Sequence, residues 1–88
     1  MTSASNPHGG QEATLLSLYT SMYHWGAIIV APGFTDPSVI EAGGNPYGAS
    51  ITVDQSGNFE AKGLEAVKHQ ARRVVTVVSA LKTGMKRA

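Results

Sequence analysis

Apolar positions in this chain fall into two helical stripes and one unbroken run. Over 11–25, Leu15, Leu18 and Met22 recur at spacings of three and four, and Leu16, Tyr19 and Tyr23 widen the stripe. That period predicts an amphipathic helix. Gly26 follows, and a glycine there commonly ends a helix in the left-handed conformation. The second stripe, over 59–83, contains Leu64, Val67, Ala71, Val74, Val75, Val78 and Leu81. Valine is a mediocre helix former, so so regular a stripe implies a helix held by packing against a sheet. Glu65 and Lys68, three apart on its polar side, can pair weakly.

The unbroken run is Ala27-Ile-Ile-Val-Ala31. It is short, β-branched and without alternation, which predicts a strand over 27–31 covered on both faces, as in parallel sheets. Pro32 and Gly33 end it. Residues 33–58 read as one long loop with turn signals at Asp36-Pro37, Gly43-Gly44-Asn45-Pro46 and Gly57-Asn58,, and with room for a brief strand at 49–53. A loop of that length in a compact domain usually serves function or an interface. Residues 1–10, rich in Ser, Asn, Pro and Gly, read as a loop leading into the first helix.

The order helix, strand, long loop, helix is one step of a doubly wound α/β fold, and it is incomplete alone. A single strand cannot satisfy its own N–H and C=O groups, which cost about 1–3 kcal/mol each if buried unpaired. The missing strands are expected from another chain, from self-association, or from sequence outside these residues. With 88 residues, one small domain is the upper limit.

Charge and composition narrow the chemistry. Net charge is +1 and there is no cysteine. Disulfides, thiolate metal sites and a cysteine nucleophile are excluded, and no field favours nucleic acid. The basic end, Lys82, Lys86 and Arg87, suits the dipole of a solvated helix terminus. No run approaches the ~20 apolar residues of a membrane span. The opening Met-Thr-Ser-Ala-Ser has neither the charged nor the apolar region of a secretory leader, so the expected location is cytoplasmic. Three histidines without an i, i+4 pair argue against a metal site. No GxxxxGK[ST] supports a generic phosphate loop.

Three stretches carry a family resemblance: Thr2-Ser-Ala-Ser-Asn-Pro-His-Gly-Gly-Gln-Glu12, Tyr23-His-Trp-Gly-Ala-Ile-Ile-Val30 and Gly43-Gly-Asn-Pro-Tyr-Gly-Ala49. In order and spacing, over essentially the whole chain, they resemble the C-terminal part of WrbA-type flavodoxin-like NAD(P)H:quinone oxidoreductases. The resemblance implies a five-stranded parallel sheet binding FMN at its C-terminal edge, NAD(P)H as co-substrate, a quinone as acceptor, and assembly as a homo-oligomer. It further implies that Ser3, Ala4, Ser5, Asn6, His8 and Gly9 lie on the flavin loop and that His24 reaches the flavin. The family's first strand, with its Ser/Thr-rich phosphate-binding loop, has no counterpart here. The alternative is therefore a non-catalytic truncated remnant or interaction module that binds no FMN by itself.

The residues also have plainer readings. A small-residue loop brings backbone N–H groups close to a flavin ring, but 3–10 could equally be only the lead into a helix. His24 could donate to a flavin or shuttle a proton; it could also bond its own last helical turn. Tyr47 and Trp25 suit a pocket, an interface or a core, and His69 falls on the polar side of the second helix.

Overall fold

Two three-residue segments far apart in sequence form the only sheet among the described residues. The computed structural model describes residues 1–4 and 9–87. Its elements are β1 (Thr2–Ala4), α1 (Gln11–His24), α2 (Pro37–Glu41), β2 (Ser50–Thr52) and α3 (Ala61–Arg87). β1 and β2 pair in parallel, Thr2 with Ser50, Ser3 with Ile51 and Ala4 with Thr52. The ladder extends by one rung at each end, where Thr2 N–H donates to Ala49 O (3.1 Å) and Val53 N–H to Ala4 O (2.7 Å). The chain is thus mixed helix and strand with parallel pairing, an incomplete α/β arrangement.

Each helix boundary has a local cause. α1 begins after Gly10, whose φ of 97° makes a left-handed N-cap. It ends in a Schellman motif: Gly26 N–H donates to Tyr23 O and Ala27 N–H to Met22 O, both at 3.1 Å, with Gly26 at φ 76°,. α2 lies inside the segment expected to be irregular. Its signal is Asp36-Pro37: the Asp36 carboxylate accepts from Ser38 N–H at 3.0 Å and Pro37 takes the first helical turn,. That hydrogen bond also holds the Asp36 carboxyl below its ordinary pKa.

The expected strand at 27–31 is not one. These residues form neither helix nor strand. The reason is the pairing requirement: among the described residues β1 pairs with β2 alone, and no strand runs beside 27–31,. Side chains of α3 substitute in part. Gln70 Nε2 donates to Val30 O (3.4 Å) and Arg73 Nε to Ala31 O (2.9 Å). The lead-in loop expected at 1–10 likewise holds β1, and the long loop 33–58 holds α2 and β2.

The core is small: Leu15, Pro32, Val39, Ala49 and Ala66 are buried, with the polar side chains of Asn45 and Gln70 among them. α3 buries Gly63, Ala66 and Gln70. At about 100° per residue its apolar stripe is centred some 80–90° around the helix from that covered face. Val74, Val75, Val78, Leu81 and Met85 accordingly remain exposed.

Gln70 is the tie between segments. Its Oε1 accepts from Ala49 N–H (2.7 Å) while its Nε2 serves Val30 O. Gln70→Leu leaves the buried Ala49 amide unmet. The expected loss is about 1–3 kcal/mol, read as a lower urea midpoint.

Candidate functional site

In a parallel sheet, ligands gather at the carboxyl ends of the strands. Here that edge carries the turn from β1 into α1 and the turn from β2 into α3. Ser3 is exposed on β1, Ala4 is half-buried, and Gly9 and Gly10 are exposed beside the start of α1. Ser5, Asn6 and His8 lie outside the described residues. Gly10, the N-cap residue, brings no side chain to this end of α1. Among the described residues, a Cβ built on Gly10 would meet nothing within 4 Å. A backbone of small residues ending at a helix N-terminus suits the polar edge of a planar ring, and this much fits a flavin.

His24 is exposed at the other end of α1. Thirteen residues of helix separate it from Gln11, roughly 20 Å at 1.5 Å per residue. Within one copy, then, α1 holds His24 apart from Ser3, Ala4 and Gly9. His69 is half-buried rather than free: its Nε2 lies 2.7 Å from Thr35 Oγ1, and the Thr35 hydroxyl lies 2.6 Å from Pro32 O. A hydroxyl has one proton, so when it is given to Pro32 the histidine must donate through Nε2. Trp25 is 81% exposed beside the end of α1.

The Gly43–Ala49 stretch turns out to be an anchor built from backbone contacts. Gly43 and Gly44 hold φ of 122° and 79°, the left-handed region that glycine accepts without strain. Buried Asn45 accepts from Tyr47 N–H through Oδ1 (3.1 Å) and donates to Ser50 Oγ through Nδ2 (3.2 Å). Pro46 O accepts from Gly33 N–H at 2.9 Å. Tyr47 O accepts from the Tyr19 hydroxyl. A Cβ on Gly48 would come within 2.9 Å of Leu15 Cδ1 and 3.0 Å of the Tyr19 hydroxyl oxygen. The motif pins the long connection onto α1, and Tyr47 stays exposed.

A cavity of about 460 Å³ opens at the carboxyl end of β2, lined by Glu41, Ile51, Thr52, Asp54, Phe59 and Lys62 among others. Lys62 pairs with Glu60 at 2.8 Å, and that hydrogen bond raises its pKa. The Asp54 carboxylate accepts from Ser56 and Asn58 N–H, each at 2.9 Å. Carboxylates outnumber cations on this wall, so it disfavours a phosphate. Sequence reading missed the cavity because α2, β2 and α3 each contribute only a few of its residues. Among the described residues no group of three or more His, Asp or Glu side chains could hold a metal ion.

Comparison with known proteins gives a uniform result. The chain is 46% identical over 81 residues to a Deinococcus radiodurans protein named NAD(P)H dehydrogenase (quinone), covering 92% of the chain and 40% of that protein. Proteins of the same name match from Methylocella silvestris (37% identity, 92% of the chain, 44% of the protein) and Paracoccus denitrificans (34%, 98% and 45%). The chain therefore spans less than half the length of these curated relatives. No family model matches it. No helix of the described residues is long and apolar enough to cross a membrane.

Tyr19 offers a pH test of the anchor. Burial, and then the nearby Tyr23, raises its pKa above the ordinary value of about 10. The unfolded phenol loses its proton first, so Tyr19's contribution is intact below about pH 10 and declines as pH rises through the folded-state value. Tyr19→Phe should flatten the alkaline fall in stability followed by urea titration. It should also cost about 0.5–1.5 kcal/mol at neutral pH for the lost hydrogen bond.

Proposed function

We propose that this chain, homologous over nearly its whole length to part of the proteins named NAD(P)H dehydrogenase (quinone), supplies the C-terminal portion of a flavodoxin-like, FMN-dependent quinone reductase. The observation that carries the reading is the β1-to-α1 turn. Gly9 and Gly10, part of the stretch that resembles the family's flavin loop, precede the N-terminus of α1 on the connection that follows β1 of the parallel pair, and that position supports the reading. The sequence similarity to the three bacterial proteins supports the same reading.

FMN would supply two-electron hydride chemistry between NAD(P)H and a quinone. The contribution of this chain is positional. Ser3, Ala4, Ser5, Asn6, His8 and Gly9 would line the polar edge of the ring, and the start of α1 favours partial negative charge there. His24, held at the far end of α1, would reach a flavin only on a second copy of the chain. This agrees with the homo-oligomer that the resemblance implies. The acidic wall of the β2 cavity leaves the cofactor's phosphate to residues outside this chain.

The second reading, a non-catalytic interaction module, draws on the 40% coverage of the Deinococcus radiodurans relative. One experiment separates the two. The chain is co-expressed with the part of that relative it does not cover, and the purified assembly is titrated with FMN. Yellow flavin absorbance and NAD(P)H-dependent quinone reduction support the enzyme; an assembly that forms but stays colourless and inactive rejects it. Gly9→Val, which puts a branched side chain on the ring-facing loop, should weaken FMN binding by roughly tenfold or more, about 1.4 kcal/mol per decade.

A further inference from the structure

The side of β2 turned away from β1 is open, and the register says which groups stand on it. Thr2 N–H takes Ala49 O and Val53 N–H takes Ala4 O. In a parallel ladder alternate residues of a strand serve the same neighbour, so between those two rungs Ile51 turns both its N–H and its C=O toward β1. Ser50 and Thr52 therefore present theirs to the opposite side. Among the described residues these groups meet no backbone partner there. The cavity of about 460 Å³ lies along this open edge: Ser50, Ile51 and Thr52 line it in succession, between Glu41 at the end of α2 and the 54–63 segment. Three of the chain's six carboxylates, Glu41, Asp54 and Glu60, stand on its walls with Lys62 as the one cation, and Phe59 adds an apolar ring.

We propose that the open edge of β2 and the acidic cavity beside it form a docking site for a short extended segment of a separate protein that carries lysine or arginine. Its main chain pairs with Ser50 and Thr52 as an added strand. Its basic head group lies among Glu41, Asp54 and Glu60, with the aliphatic stem against Phe59. Each feature removes a competitor. A second copy of this chain has no such segment to give, because all seven of its lysines and arginines fall within α3, whose backbone is spent on the helix. Pairing two β2 edges would instead bring two acidic walls together. A phosphate-bearing ligand meets the same repulsion. A small ammonium compound would answer the carboxylates and leave the amides of Ser50 and Thr52 unmatched. The further strands of this domain's own sheet have the far edge of β1 to join, whereas the β2 edge is flanked by charge, which resists extension of a sheet. The cavity volume falls in the roughly 300–1,000 Å³ of small binding sites, room for a few residues of a peptide.

The test is a binding titration of the chain with a fluorescein-labelled hexapeptide of alternating valine and arginine, followed by fluorescence polarisation. The expected result is saturable binding that weakens as ionic strength rises, with hydrogen exchange at the Ser50 and Thr52 amides slowed about tenfold or more. Glu41→Lys, at an exposed site, should weaken binding roughly threefold to tenfold. Thr52→Pro removes one outward donor and keeps the rungs to β1, as proline is accepted on an edge strand whose N–H faces away from the ladder; it should cost a similar factor. If that variant loses its circular dichroism, the same peptide N-methylated on alternate amides asks the question from the other side and should bind more weakly by a like amount. Four results overturn the proposal: equal binding of a valine–glutamate hexapeptide; equal binding of the N-methylated peptide; competition by free spermidine with no change in amide exchange, which assigns the cavity to small cations; or amides of Ser50 and Thr52 already protected in the assembly with the uncovered part of the Deinococcus radiodurans relative, which gives the edge to the sheet itself. None of these outcomes bears on the flavin reading, which is judged by colour and quinone reduction.

Discussion

Backbone groups must be paired, and in this chain one side-chain amide stands where a strand would otherwise do the pairing. Gln70 accepts from Ala49 and donates to Val30, so a single residue of α3 fixes the start of β2 relative to the end of the 27–31 run. The position of the Gly43–Ala49 anchor follows, since Ala49 is its last residue, and so does the β1–β2 register, since Ala49 O takes the first rung from Thr2. The buried core around Leu15, Val39 and Ala66 is small, and these polar ties link the segments around it.

Helices were legible in the sequence because their signals are local. The stripe from Leu15 to Met22 and the Gly26 terminator define α1, and the longer valine-rich stripe defines α3. Strands were less legible because pairing is a property of two segments. The apolar run 27–31 carries every mark of a strand, and it remains unpaired because the composition of a segment cannot provide its neighbour. Conversely, Thr2–Ala4 reads as loop and becomes a strand because Ser50–Thr52 is available. α2 was readable from Asp36-Pro37 as a cap followed by a first-turn proline, but the same dipeptide is also a turn signal, and the flanking glycines favour the turn.

The candidate site divides in the same way. The small residues ahead of α1 suit a close approach of backbone to a ligand, and by their chemistry alone they suit the lead into a helix equally well. The roles inside Gly43-Gly-Asn-Pro-Tyr-Gly-Ala49 did not, since a buried asparagine, a carbonyl held by Tyr19 and a glycine pressed against Leu15 all depend on contacts across the fold. What looks from sequence like a recognition loop spends most of its polar groups on the protein itself, and its exposed aromatic ring is what remains to meet anything else.

Pairing Thr2 with Ser50 joins residues 48 apart in the chain, and this sets an order of events. α1 and α3 form from near neighbours on the microsecond scale, whereas the parallel ladder must first close more than half of the chain, and that closure is an entropic cost with no partial reward along the way. The sheet is therefore the last of the described elements to assemble and the first to come apart, and its brevity makes the carboxyl edge of the two strands readily opened.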